Sequence, residues 1–416
     1  MGTISKDLSE TIHRIAFQEI TPGKPSQQYS SDPLLARLKE LGTELWIDTG
    51  ELELAQSVWK NELTALTTNN TLANQVVQSG VMDDVIQETV DKLGEAASGL
   101  SQEELVMEIG FVINCRIALR LVEAFKVKVS VELHPSISRN IEKSVAYGKR
   151  YYRVCPEYFT VKVPLTPEGL LATRRIRQEK IPVNFTLGFS ARQNYLAARL
   201  ANPNYVNVFL GRLNAVVADN SAGSGEWVGE KVTLHTQNAV YEVRDKHTDV
   251  KTRLIAASIR NGDQVATLAG MDVHTIPPKA MKEFQESGRT PAQIKKTDGT
   301  ALKPNVDPGH DWSDRVADLW EVDGDFRQAV DRLMIRNDLD QLSGEDLMQF
   351  CNENGLDLFH PFSRKDLKKI QDHGKIPKLA DWPGSVALDD LMTQSALQSF
   401  AKDQNALDAR IQSFLK

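Results

Sequence analysis

Eight short apolar runs recur between Glu44 and Ile276, and segments with helical spacing separate them. The runs are 44–49 (ELWIDT), 63–69 (LTALTTN), 128–133 (KVSVEL), 159–164 (FTVKVP), 182–187 (PVNFTL), 206–211 (VNVFLG), 253–258 (RLIAAS) and 272–276 (DVHTI). Each is rich in β-branched or apolar residues and none alternates cleanly, which is the pattern of parallel strands covered by helices. Leu34, Leu35, Leu38 and Leu41 before the first run, and Leu170, Leu171 and Ile176 after the fourth, carry the helical periodicity. Parallel strands need crossover connections, and eight of them within about 250 residues predict a (β/α)8 TIM barrel. A doubly wound sheet is the competing arrangement, but its glycine-rich first turn is missing here.

The barrel pattern fills residues 33–284. Residues 1–32 are polar, with Pro22, Pro25 and a Ser/Gln-rich run, and read as an N-terminal extension of one short helix and a loop. Residues 285–392 begin rich in Lys, Thr, Pro and Gly and continue as short helices and loops, an insertion that adds C-terminal helices to the barrel. In 393–416, Leu397, Phe400, Leu407, Ile411 and Phe414 fall at three-, four- and seven-residue steps, so one amphipathic helix is expected to close the chain against the barrel.

A formal net charge of -7 over 416 residues argues against nucleic acid as a partner, which would call for a basic face. The most apolar stretch, 105–125, is broken by Glu108, Arg116, Arg120 and Glu123 and reads as a buried helix, so no membrane span is expected. The amino terminus has no apolar signal core, and Lys6 breaks the myristoylation pattern. Cys115, Cys155 and Cys351 are odd in number and far apart, and together with the scattered histidines they form no metal-ligand spacing. A cytoplasmic protein without a metal is expected. Oligomeric state is open between monomer and homodimer.

Most of the eight runs carry a polar residue at or just past the carboxyl end: Asp48, Asn69, Glu132, Lys162, Asn184 with Thr186, Arg212, and Ser258 with Arg260. Singly, each has an ordinary reading as a cap, a turn residue or a snorkelling side chain. Jointly they occupy the place where barrel active sites are assembled, and charged groups rarely enter barrel interiors without purpose. The set is chemically coherent. A lysine in an apolar barrel mouth is desolvated, which favours the neutral amine that attacks a carbonyl. One carboxylate, Glu132, suits proton transfer during imine formation, and a second, Asp48, suits removal of a proton from a substrate hydroxyl. Two arginines and a serine suit a phosphate.

At these residues the chain resembles the transaldolases. Residues 159–169 (FTVKVPLTPEG) are similar to the family's Schiff-base lysine segment, 45–50 (LWIDTG) to its first-strand aspartate motif, and 130–135 (SVELHP) to its glutamate segment. Residues 67–71 (TTNNT), 181–190 (IPVNFTLGFS), 209–212 (FLGR), 257–261 (ASIRN) and 268–277 complete the order, so the likeness covers about 40–280, with 395–416 similar to the closing helix. The resemblance implies Lys162 as the imine-forming nucleophile, and Glu132 with Thr186 as holders of the water used in proton transfer. It implies Asp48 as the base for the C4 hydroxyl, Asn69 and Asn184 as hydroxyl-binding groups, and Arg212, Ser258 and Arg260 as the phosphate site. It further implies transfer of a dihydroxyacetone unit from sedoheptulose 7-phosphate or fructose 6-phosphate to glyceraldehyde 3-phosphate or erythrose 4-phosphate, in the pentose phosphate pathway. Small-molecule sugar phosphates are then the partners, and no cofactor is required. Asn70 stands where the family usually has proline. Asn207-Val208 replaces the usual Ser-Pro beside the ketose pocket, to which Phe209 also belongs.

Two other functions fit the same residues. A related lysine aldolase or transaldolase would act on another ketose, such as a sulfonated sugar, and a non-catalytic barrel would only bind sugar phosphates. The cleaving relatives tend to carry Gln and Tyr where this chain has Glu132 and Phe209, which favours transfer. The glycine-rich segment 223–231 lacks the spacing of a phosphate loop and reads as a mobile loop over the barrel mouth.

Overall fold

Eight parallel strands close into one barrel in chain order: β1 (Glu44–Asp48), β2 (Leu63–Thr67), β3 (Lys128–Glu132), β4 (Phe159–Pro164), β5 (Val183–Thr186), β6 (Tyr205–Phe209), β7 (Arg253–Ala257) and β8 (Val273–Ile276). β8 pairs with β1 and completes the ring. Helices run between the strands, so this is the expected (β/α)8 barrel with additional C-terminal helices. The computed structural model describes residues 5–25 and 27–415; the remaining residues of the expected N-terminal extension and closing helix lie outside the described residues.

The strands form where β-branched and aromatic side chains are covered on their outer face by helices. Val129, Val131, Val161 and Val163 are all buried to within 1%. Side-chain caps fix where the following helices begin. Thr166 Oγ1 accepts from the Gly169 amide at 2.8 Å, with Pro167 at the first helical position, and starts the helix Pro167–Gln178 immediately after β4. Gly169 is required there, because a Cβ would lie 2.2 Å from the Pro164 carbonyl oxygen. Asp32, Ser190 and Asn261 cap three more helices in the same way.

Several expected strands end sooner than their apolar runs, and each early ending moves a site residue. β2 stops at Thr67, and Asn69 caps the helix Asn70–Gln78. β6 passes directly into the helix Leu210–Asp219, so Arg212 lies in a first helical turn. β7 stops at Ala257, and Ser258 takes a left-handed φ of 61°.

The closing helix, expected from residue 393, begins earlier and spans Leu388–Gln412. Its first turn holds Asp389 and Asp390, both of them buried. Asp389 is satisfied by Arg192 (2.8 Å from Nε and Nη2) and by Ser190 Oγ (2.6 Å), and Asp390 accepts from the His360 amide at 2.6 Å. Farther along, Gln404 accepts from Asn70 at 2.9 Å and Asp403 accepts from Thr71. The helix is therefore tied to the helix after β5 at one end and to the helix after β2 at the other.

Between Gln285 and Leu388 the chain forms short helices and single turns. Phe326, Leu333, Leu347 and Leu379 from this region join the core, and Arg327 forms a two-pronged pair with Glu242 at 2.8 Å.

Candidate active site

At the carboxyl end of the barrel a cavity is walled by Asp48, Asn69, Lys162, Asn184, Asn207, Phe209, Arg212, Ser258 and Arg260, together with Thr67, Thr275, Lys375 and Phe400 among others. Nine of the eleven residues singled out in the sequence thus share one cavity. Glu132 and Thr186 are not on its wall; both are buried.

Strand register explains the centre of the site. Glu132 on β3 is the partner of Lys162 on β4, and Lys162 is the partner of Asn184 on β5, so all three side chains emerge on one face. Lys162 is 4% exposed, with Nζ 3.0 Å from Glu132 Oε2 and 3.0 Å from the Thr68 carbonyl oxygen, to which it donates. Burial pushes the Glu132 carboxyl above its ordinary range, against the pull of Lys162. Asp48 accepts from Thr67 Oγ1 at 2.6 Å, and Thr67 Oγ1 lies 2.6 Å from Thr275 Oγ1 across the barrel interior. Burial raises the Asp48 carboxyl too, with Lys162, Thr67 and Arg260 opposing the rise.

A ladder of amides continues from the lysine. Asn184 donates to Ser130 Oγ at 3.2 Å, and Asn207 donates to Asn184 Oδ1 at 3.4 Å. Asn207 Oδ1 also accepts from the Gly188 amide at 3.4 Å. Asn207 therefore steadies Asn184 and the turn after β5 as well as lining the cavity. Asn69 lines the cavity while its Oδ1 caps the Leu72 amide at 2.9 Å. Thr186 Oγ1 is buried and makes no hydrogen bond to a described protein group, so no direct bond joins it to Glu132.

The far end of the cavity is cationic. Arg212 is 5% exposed, and its Nη1 has no hydrogen-bond partner among the described residues. Its guanidinium sits 5.9 Å from the Phe209 ring centre and 5.7 Å from that of Phe400. Burial and the neighbouring Arg260 charge push Arg212 down to about 10, and burial also lowers Arg260, with Asp48 opposing. Gly211 and the Ser258 turn meet backbone to backbone, since a Cβ on Gly211 would stand 2.2 Å from the Ser258 carbonyl oxygen. The Arg260 amide donates to Gln264 Oε1 at 2.7 Å, and Gln264 in turn donates to buried Glu230 at 2.9 Å.

Glu230 belongs to the glycine-rich segment expected as a mobile loop over the mouth, but the segment is tied to Asn305 away from the cavity and leads into the helix Val228–Lys246. Ser224 and Gly225 donate to Asn305 at 2.8 and 3.1 Å, Asn305 donates back to Glu226 at 2.9 Å, and no residue of the segment lines the cavity. Phe400 is legible in the sequence only as part of the closing helix's apolar spacing, and Lys375 has no local signature, so the strand pattern marks neither as a wall of the cavity.

The sequence profile of the Transaldolase/Fructose-6-phosphate aldolase family matches residues 45–327. The chain belongs to this family. Similar proteins include one from Exiguobacterium sibiricum named probable transaldolase, 36% identical over 172 residues, covering 41% of this chain and 71% of that protein. Probable transaldolases of Thermus thermophilus and Oceanobacillus iheyensis are each 33% identical, over 63% and 53% of this chain and 100% and 94% of their own. The family match covers the barrel from the second residue of β1 through β8 and ends before Lys375 and Phe400. Among the described residues, no group of three or more His, Cys, Asp or Glu side chains could hold a metal ion, and no helix is long and apolar enough to cross a membrane.

Proposed function

We propose that this member of the transaldolase family is a transaldolase that moves a dihydroxyacetone unit from a ketose phosphate to an aldose phosphate through an imine on Lys162. One observation carries the reading: the Lys162 amine is buried 3.0 Å from Glu132 and opens on the same cavity as Asp48, Arg212 and Arg260. The amine adds to the ketose C2 carbonyl, and the carbinolamine loses water to give a protonated imine. Glu132, whose hold on a proton is strengthened by burial, gives the proton that makes hydroxide a leaving water and recovers it on hydrolysis. Asp48 takes the proton from the C4 hydroxyl. The C3–C4 bond breaks, its electron pair neutralises the iminium nitrogen, and an aldose phosphate leaves. The remaining enamine attacks the aldehyde carbon of the second aldose, Asp48 returns the proton to the new hydroxyl, and water releases the product ketose from the lysine.

Asn69 and Asn184 face the enamine unit with amide groups, and Arg212, Ser258 and Arg260 hold the phosphate. Glu132 and Phe209, where cleaving relatives tend to carry Gln and Tyr, favour transfer over simple cleavage. Borohydride added with fructose 6-phosphate tests the reading. It is expected to inactivate the protein irreversibly and to leave a reduced adduct on the peptide containing Lys162. A Lys162→Met variant is expected to show neither adduct nor turnover. Turnover without an adduct, or an adduct on another lysine, overturns it.

A further inference from the structure

We infer that Lys375 is a third cation of the anion site, and that it selects a dianionic phosphate ester over a monoanionic sulfonate of the same shape. The inference rests on the phosphate role proposed above for Arg212, Ser258 and Arg260, and extends it to the region between the barrel and the closing helix. Lys375 lines the same cavity as those three residues, although it lies outside the family match. Among the described residues neither Lys375 nor Arg260 has an ion-pair partner, and buried Arg212 leaves Nη1 without a hydrogen-bond partner. A buried cation such as Arg212 is costly unless an anion joins it, and the exposed, unpaired Arg260 and Lys375 are free to meet that anion from the open side of the cavity.

The backbone around Lys375 is built to hold it there. Gly374, with φ at 82°, ends the helix Arg364–His373 by donating to the Ile370 and Gln371 carbonyls at 3.2 Å each. Its own carbonyl accepts from Ser395 Oγ on the closing helix at 3.0 Å. Two residues past Lys375, the Pro377 carbonyl accepts from Asn220 Nδ2 at 3.0 Å, and the Leu379 amide donates to Asn220 Oδ1 at 2.8 Å. Pro377 and Leu379 are buried while Lys375 is exposed. Asn220 ends the helix Leu210–Asp219, whose first turn carries Arg212. The segment is thus stapled on both sides of a lysine that projects at the cavity, and one staple belongs to the helix that bears the buried arginine.

Charge counting gives the selectivity. A phosphate ester carries a second negative charge above a pKa of about 6, whereas a sulfonate carries one charge at every accessible pH. A third cation therefore adds more to the binding of the phosphate than to that of its sulfonate isostere.

The test measures binding without catalysis, by calorimetry at pH 8, of glycerol 3-phosphate and of 2,3-dihydroxypropane-1-sulfonate. The wild type, Lys375→Met, Lys375→Arg and Arg260→Ala proteins are compared. Lys375→Met is expected to weaken glycerol 3-phosphate about tenfold, the low end for one charge-assisted contact, and the sulfonate much less, with Lys375→Arg recovering most of the loss. Equal weakening of both ligands, or none, overturns the inference while leaving the arginine site intact. If Arg260→Ala also leaves glycerol 3-phosphate binding unchanged, the phosphate site itself has failed, and the role of Lys375 fails with it. Borohydride trapping on Lys162 reports separately on the imine chemistry.

Discussion

Glu132 and Lys162 are direct register partners on adjacent parallel strands, and their charged atoms meet at 3.0 Å. The backbone pairing therefore sets the carboxylate against the amine, with no flexible loop between them. Glu132→Gln preserves the shape and removes the proton donor. Turnover is expected to fall by roughly 10²–10⁴ with little change in thermal stability. Steady-state kinetics at saturating donor checks this, and an unchanged kcat removes Glu132 from the chemistry.

The direction of the two carboxyl shifts gives the pH profile. Burial raises both Glu132 and Asp48. Asp48 must be ionised to take the hydroxyl proton, so activity is expected to fall on the acid side at a pH above the usual carboxylate range. In Arg260→Ala, Asp48 loses a stabilising charge and that acid limb should move to higher pH. Profiles of kcat/KM against pH for the two proteins decide the point; a limb that stays in place separates Asp48 from Arg260.

Arg212→Ala and Arg260→Ala are each expected to raise KM for phosphorylated sugars about ten- to more than a hundredfold, corresponding to about 1.5–3 kcal/mol for a charge-assisted contact. Unphosphorylated dihydroxyacetone as a donor should be affected much less. Equal damage to both classes would mean that the arginines only support the fold.

Gly211→Ala tests how the anion site is assembled. The added methyl would meet the Ser258 carbonyl oxygen at 2.2 Å and Arg260 Cγ at 2.6 Å, and backbone cannot yield cheaply. A loss of about 1–3 kcal/mol in stability is expected together with weaker phosphate binding. Denaturant titration and phosphate-ester binding measure the two effects, and an unperturbed variant would show that the contact is looser than described.

Asp390 links the closing helix to pH. Burial pushes its carboxyl up to about 8, with the Asp389 charge adding to the rise and the His360 amide opposing it. Its folded value lies above its unfolded value of about 3.9, so its contribution is complete below about pH 4 and is lost as pH rises toward 8. Asp390→Asn retains an acceptor for the His360 amide and removes that dependence. The variant should lose less stability than the wild type between pH 5 and pH 8, by at most about 1.4 kcal/mol per pH unit. Denaturation midpoints at the two pH values give the comparison, and parallel slopes would refute it.

The barrel was legible because each of its strands is a short β-branched run whose outer face must be covered. The polar residues breaking those runs at the carboxyl end marked the cavity. Lys162 stood out because a lysine between Val161 and Val163 has no ordinary reason to be there. What stayed hidden depends on long-range pairing. Asn69 looks like a ligand-binding amide, yet half of it caps a helix. The partners of Asp389 and Asp390 lie on remote segments. Glu230 sits in a glycine-rich stretch that resembles a loop, and only the fold shows it supporting the Arg260 turn through Gln264. Lys375 is one surface lysine among many until the fold brings it to the cavity wall.

The closing helix has a consequence for synthesis. All eight strands have been made once Ile276 is in place, and Lys162 long before that. Phe400, which lines the cavity beside Arg212, and the helix that bears it follow the whole barrel in the chain. Until that helix is made and docked, the wall beside Arg212 stays open, so the barrel can close before its cavity does.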